Sequence, residues 1–313
     1  MVVVLHRVLP LQVAEVTPKL AYLKAHRGDF DTVFIGSSRF YHGLSPKAFD
    51  AAMAAAGKPR RSFNLAVDGM MPPESLHMTR TLLAMRPPRL HTVFLEVASE
   101  QPMPDMNNLT VRDIYAQDGK SLIHGWNQAL LDFQTTPPGF RSQQVWDDVR
   151  WTTTVFVRNE LNIGRLVPEG VTAEEPQKFG RLMLGPAEDG YIPAMNGMTE
   201  KSRRKLAQQE LLIREGLVKE RPINDLNEEE YAGTRDLLKE HGIELILVTA
   251  PQILRDYHAR VDAPPGMRIL AFDDPDRHPE LFDPGHRSDS DHLNDSGARI
   301  FSKELAESYL SER

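Results

Sequence analysis

The 313-residue chain contains no cysteine. That removes disulfides, thiolate nucleophiles and cysteine-ligated zinc, and it leaves the compartment open. A contiguous basic stripe is missing as well. The formal charge is −7, and the densest basic cluster, "KSRRK" at 201–205, reads as a solvated helix face. Nucleic-acid binding by phosphate neutralisation is therefore not expected. Nor is there a long hydrophobic run. The opening "MVVVLHRVLPLQV" is too short and too interrupted to span a bilayer, and it lacks the small-residue cleavage site of a signal peptide. No transmembrane segment is expected within this chain. The apolar start suits the remnant of an upstream anchor, in which case an envelope-associated location is favoured over the cytoplasm. Internal repeats, low-complexity tracts and helical His-x-x-x-His pairs are also lacking, and no metal or cofactor is expected. Nothing in the pattern specifies an oligomeric state.

What is present is a chain that is 41% hydrophobic and 26% charged, enough to bury a sizeable core in one large domain or one domain with an insertion. Five short runs read as buried parallel strands: "DTVFI" (31–35), "SFNLA" (62–66), "HTVFLEV" (91–97), "IELILVTA" (243–250) and "MRILAF" (267–272). Helical stretches separate them. "SPKAFDAAMAAAG" has a serine cap, a proline at the first helical position and a closing glycine. "PPESLHMTRTLLAM" ends before Pro87-Pro88. "NEEEYAGTRDLLKEHG" has an acidic first turn and stops at Gly242. A last helix, capped by Asn294 or Asp295, carries Ala298, Phe301, Leu305 and Tyr309 on one face. This alternation predicts a three-layer α/β/α fold, a flavodoxin-like five-stranded parallel sheet.

The rhythm breaks after Val97. Residues 98–226 read as a mostly helical or irregular insertion, a lid or substrate-binding region, in an α/β domain made of 1–97 and 227–313. The segment holds all three tryptophans, Trp126, Trp146 and Trp151. They read as the core of the insertion, with stacking against a sugar ring or lining of an acyl groove as the sharper alternative.

The stretch "DTVFIGSSRFYHGLSP" delivers two adjacent hydroxyls, Ser37 and Ser38, at the end of a buried strand. Serines there can cap backbone N–H groups, or one can be a nucleophile. A nucleophile needs a base, a carboxylate to orient that base, and donors for the oxyanion. In open α/β sheets ligand sites gather at the carboxyl ends of strands. Ser38, Gly69, Ser99, Asp289 and His292 all follow strands in this reading and share one edge. Asp283, His286, Asp289, Asp291 and His292 can also be read as a metal cluster, without a fixed-geometry spacing to support it. Arg39 is a surface residue or a charge at the pocket rim. His42 reads as a surface or packing histidine. Asn64 ties down the loop after the second strand or touches substrate, and Glu96 or Glu100 is a candidate buried, paired carboxylate.

Three blocks, "FIGSSR", "FNLAVDG" and "DSDHLNDSGA", resemble the SGNH (GDSL-type) hydrolase superfamily, in particular its "GSS" branch of envelope-associated esterases and acyltransferases. The resemblance covers roughly 30–100 and 236–310. It implies Ser38 as nucleophile, His292 as base, Asp289 as its orienter, and the N–H groups of Ser38 and Gly69 as oxyanion donors. The family's third block, Gly-x-Asn-Asp, is replaced here by "VASE" (97–100), so Ser99 stands where an asparagine donor belongs. Loss of such a donor typically costs about 3–4 kcal/mol in the transition state. The implied activity is hydrolysis of short acyl or acetyl esters, from a small ester or an acylated carbohydrate. A polysaccharide O-acyltransferase using the same site is the first alternative, and a catalytically silent glycan- or protein-binding module is the second.

Overall fold

The computed structural model describes residues 13–97, 111–116, 118–135, 141–161, 182–195, 197–215, 219–220, 225–252, 257–258 and 266–311. Five strands form one sheet: β1 (Thr32–Ile35), β2 (Ser62–Asn64), β3 (Thr92–Glu96), β4 (Glu244–Thr249) and β5 (Arg268–Ala271). Their order is β2-β1-β3-β4-β5 and every neighbouring pair is parallel. Each predicted strand is found in its place. Alternate side chains feed two separate cores, as a strand's two-residue period requires.

On one face Val33, Ile35, Val93, Leu95, Leu245 and Leu247 are buried. They pack with helices α1 (Val16–Ala25), α4 (Glu74–Ala84) and α9 (Asp225–Glu240). On the other face Phe34, Phe94, Ile246, Val248 and Leu270 meet the apolar sides of α3 (Pro46–Ala55) and α11 (Asp295–Ser311). Together these layers make the three-layer α/β architecture. Local chemistry sets the helix ends as expected. Ser45 Oγ accepts from the Ala48 N–H (3.4 Å) and Pro46 opens α3. Asn294 Oδ1 accepts from the Gly297 N–H (3.1 Å) at the start of α11. Gly242 takes φ +72° just beyond α9, in the left-handed region that a C-terminal stop uses.

The described part of 98–226 is largely helical. It comprises α5 (Val111–Ala116), a hairpin of α6 (Gly119–Thr135) with α7 (Arg141–Glu160), and α8 (Glu200–Arg214). The basic cluster at 201–205 lies on α8, which ends at Arg214. Lys219–Glu220 pairs in parallel with Tyr257–His258. Between the hairpin and α8 the chain returns to the edge of the sheet. Asn64 N–H of β2 donates to Asp189 O (2.8 Å), which satisfies an edge-strand donor that would otherwise face solvent. The Lys19 ammonium, wholly buried, fastens this junction from beneath. It donates to Asn64 O (3.1 Å), Ala66 O (2.5 Å) and Gly190 O (2.8 Å), and it lies over the Tyr41 ring. Burial drives its pKa well below the usual lysine range. Among the described residues no helix is long and apolar enough to cross a membrane.

Candidate active site

The parallel topology brings the segment after each strand to one edge of the sheet, where β1 and β3 diverge. Ser37 caps the short helix α2 (Ser38–Tyr41), its Oγ accepting from the Arg39 N–H at 3.3 Å. Ser38 opens that helix and is half-buried. The two adjacent hydroxyls therefore have different tasks. Ser37 is structural, and Ser38 presents its Oγ to His292.

The loop before α11 supplies that histidine. Asp289 Oδ1 accepts backbone N–H bonds from Asp291 (2.7 Å) and His292 (2.9 Å), a turn that the Asp-x-x-His spacing makes possible. The same carboxylate lies 2.9 Å from His292 Nδ1 through Oδ2. On the other side of the ring, His292 Nε2 is 2.7 Å from Ser38 Oγ, across a sequence separation of 254. A carboxylate at Nδ1 requires that nitrogen to carry the proton, so Nε2 is free to accept from the serine hydroxyl. Burial alone would raise the Asp289 pKa. The His292 ring and the two backbone N–H groups outweigh that and hold it at about 2. The orienting carboxylate is thus ionised at any pH where the fold is of interest.

Beneath Ser38 lies Glu96, at the end of β3 and 3% exposed. It accepts from the Ser37 N–H (2.6 Å), Ser37 Oγ (3.1 Å) and Arg39 Nε (2.5 Å). Glu96 is the buried, paired carboxylate anticipated on this edge; Glu100 lies outside the described residues. Gly36 is what lets it in. A Cβ at that position would sit 2.6 Å from Glu96 Oε2 and 2.7 Å from Glu96 Cβ. Replacing Glu96 by glutamine would turn an NH2 toward one of these donors and remove the charge facing Arg39. The expected loss is about 1.5–3 kcal/mol of stability, the worth of a hydrogen bond to a charged group. Urea titration at constant m-value checks it.

Arg39 is neither a loose surface residue nor an open rim charge. Its guanidinium is largely buried, bonded to Glu96 and to Gln252 Oε1, and it touches Met71 Sδ at 3.8 Å. Asn64 is a tie and not a substrate contact. It is fully buried, its Nδ2 donates to Phe40 O and Leu44 O, and its Oδ1 accepts from the Ala66 N–H. Gly69 adopts φ +65°, in the left-handed region that glycine reaches without strain. Ser99 lies outside the described residues.

The tryptophans are not gathered at this edge, nor do all three form a core. Trp126 and Trp146 are 41% and 64% exposed on the α6–α7 hairpin, and Trp126 Nε1 donates to Thr153 Oγ1. Only Trp151 packs against the core. Among the described residues the hairpin packs mainly on α5 and α9. The metal reading of the last loop also gives way, because its groups are engaged separately. Asp283 caps Gly285, His286 Nδ1 bonds Glu280 O, and Asp291 pairs with Lys205. Among the described residues no three such groups converge.

Arg287, Lys205 and His42 complete the surroundings of the site. Arg287, fully buried, donates to the carbonyls of Pro251, Leu281, Asp289 and Ser290 and so fastens the loop carrying Asp289 and His292 to the end of β4. Lys205 of α8 donates to Ser290 Oγ and Asp291 Oδ2, both at 2.7 Å, and ties the insertion to the same loop. His42 does not merely pack. It pairs with Asp68, immediately before Gly69, at 3.2 Å.

No family model, curated protein or solved structure matches the chain. The resemblance to SGNH hydrolases accordingly rests on the three quoted blocks.

Proposed function

We propose that the chain is an SGNH-type serine hydrolase that cleaves short acyl esters, from small molecules or acylated carbohydrates, through an acyl-serine intermediate. One observation carries the reading: Ser38 Oγ lies 2.7 Å from His292 Nε2, whose other nitrogen is held by Asp289. In the first step His292 takes the Ser38 proton as Oγ attacks the ester carbonyl. The carbonyl oxygen becomes an oxyanion facing the N–H groups of Ser38 and Gly69. Collapse expels the alkoxide, to which His292 returns the proton. Water repeats the sequence, releasing the acid and restoring Ser38. Asp289 remains ionised throughout and stabilises the imidazolium without taking its proton.

A fluorophosphonate probe followed by peptide mass spectrometry tests this directly. A single adduct on Ser38, absent in Ser38→Ala, is expected. No adduct at Ser38 would leave the silent binding module as the better description. Ester turnover seen only when a sugar alcohol is supplied would shift the reading from hydrolase to transferase.

A further inference from the structure

The second strand delivers Gly69 through one peptide unit, whose carbonyl belongs to Asp68 and whose N–H belongs to Gly69. A trans peptide is planar, so its C=O and N–H point in opposite directions. Whatever grips the Asp68 oxygen therefore aims the Gly69 N–H.

That grip comes from the insertion. Arg112, on α5 and buried, donates through Nη1 to Asp68 O. Its guanidinium is itself held in a fixed plane. Glu74 takes Nε and Nη2 in a two-point fork (2.7 and 2.9 Å), and Glu15 takes Nη1 at 2.9 Å. Such a fork gives Arg112 a geometry that a lysine cannot copy.

Asp68 is held a second time, through its side chain. His42 caps the C-terminus of α2. Its Nδ1 lies 2.8 Å from Ile192 O, in the insertion, and its Nε2 lies 3.2 Å from Asp68 Oδ1. Neither the carbonyl nor the ionised carboxylate can donate, so both ring nitrogens must, which makes His42 an imidazolium. The charges around the pair agree. Burial and Lys19 work against the cation, but Asp68 and the Ile192 carbonyl prevail and raise the His42 pKa. Asp68 is in turn held below its usual range, by the His42 hydrogen bond first and then by the charges of His42, His292 and Arg112, against burial. Of the groups facing this pair, Tyr41 lies with its ring tilted against that of His42 and stays neutral.

We propose that Arg112 and His42 are positioning residues that fix the Asp68–Gly69 peptide so that the Gly69 N–H faces the oxyanion, making the insertion a structural part of the active site. This rests on the acyl-serine reading for its catalytic consequence, but its geometric content does not. Because the folded His42 pKa is raised and that of Asp68 is lowered, the hold is present between the two and is lost as pH rises through the His42 value.

The test uses the full chain with 15N-labelled glycine. Arg112→Lys keeps a cation beside Glu74 but loses the fork. It should shift the Gly69 amide resonance and lower kcat per probe-titrated site by about 10- to 100-fold with KM nearly unchanged, a part of what losing an oxyanion donor costs. In the wild type the Gly69 resonance should follow a titration shifted upward from that of an ordinary histidine, and kcat/KM should fall over the same interval. His42→Gln should remove both. If the Gly69 amide responds to both substitutions while no Ser38-dependent turnover is found, the positioning stands and the esterase reading falls. If turnover depends on Ser38 but the Gly69 amide ignores both substitutions, the positioning proposal is overturned. Should Arg112→Lys fail to fold, the His42→Gln titration decides alone: a Gly69 resonance that still titrates as in the wild type rejects the proposal.

Discussion

Ser38→Ala and His292→Ala are each expected to lower kcat for p-nitrophenyl acetate on the order of 10⁴- to 10⁶-fold while leaving the thermal midpoint close to that of the wild type. The two losses should not multiply. Without the imidazole the hydroxyl has no acceptor at 2.7 Å to take its proton, and without the hydroxyl the base has nothing to activate, so either change disables the same step. The double variant should match the worse single one. Asp289→Asn is the more informative partner. Its amide can still receive the backbone N–H groups of Asp291 and His292 through the oxygen that now accepts them. Its NH2, however, would face His292 Nδ1 and drive the ring proton to Nε2, where a base is needed. A loss of about 10⁴-fold in kcat is expected with the turn preserved. Steady-state kinetics beside circular dichroism checks all three. Turnover within a factor of ten of the wild type in either Ser38→Ala or His292→Ala would reject the acyl-serine mechanism.

The sheet was legible because strands buried on both faces leave continuous apolar runs, as in β1, β3 and β4. The helix ends were legible because their caps are local: Ser45 with Pro46, Asn294, Gly242. The Asp289–His292 contact was legible for a similar reason. Asp289 and His292 are close in sequence, and their spacing alone builds the turn that joins them. What escaped notice are cations whose acceptors are main-chain carbonyls. Lys19 and Arg287 bond to oxygens that every residue possesses, so the sequence holds no complementary partner that would mark them; Arg112 does pair with Glu74 and Glu15, but its bond to Asp68 is again to a main-chain carbonyl. Glu96 could be suspected from its place at a strand end, yet its pairing with Arg39 depends on the lateral neighbourhood of β1 and β3. The tryptophans misled in the opposite direction. A large aromatic residue suggests burial, but an indole is often only partly covered, and on a hairpin that rests on two helices an outer face remains.

Arg287→Met should prove the most damaging single change to the stability of the fold. The guanidinium is fully buried and donates to Leu281 O (2.7 Å), Ser290 O (2.9 Å), Pro251 O (3.2 Å) and Asp289 O (3.2 Å), with Phe282 under its plane. Burial pulls its pKa down only to about 10, so it stays charged at neutral pH. Methionine fills much of the space but leaves these carbonyls without donors, at about 1–3 kcal/mol for each one that water cannot reach. A total near 4–6 kcal/mol is expected, because some of the oxygens can turn toward solvent. That is a large share of the roughly 5–15 kcal/mol by which domains are stable, and the thermal midpoint should fall by roughly 10–20 °C. Arg287→Lys separates stability from site geometry. An ammonium cannot span three chain segments in one plane, so the protein should fold with a smaller loss while the loop carrying Asp289 and His292 sits less firmly against β4. Its kcat should fall about 10- to 100-fold, because a displacement of the base by about 1 Å weakens proton transfer by that order, and KM should barely change. Calorimetry and single-turnover acylation measure the two effects on the same sample. Wild-type values of both in Arg287→Lys would show that the loop is placed without the guanidinium fork, and that Asp289 and Asn294 suffice to hold the histidine.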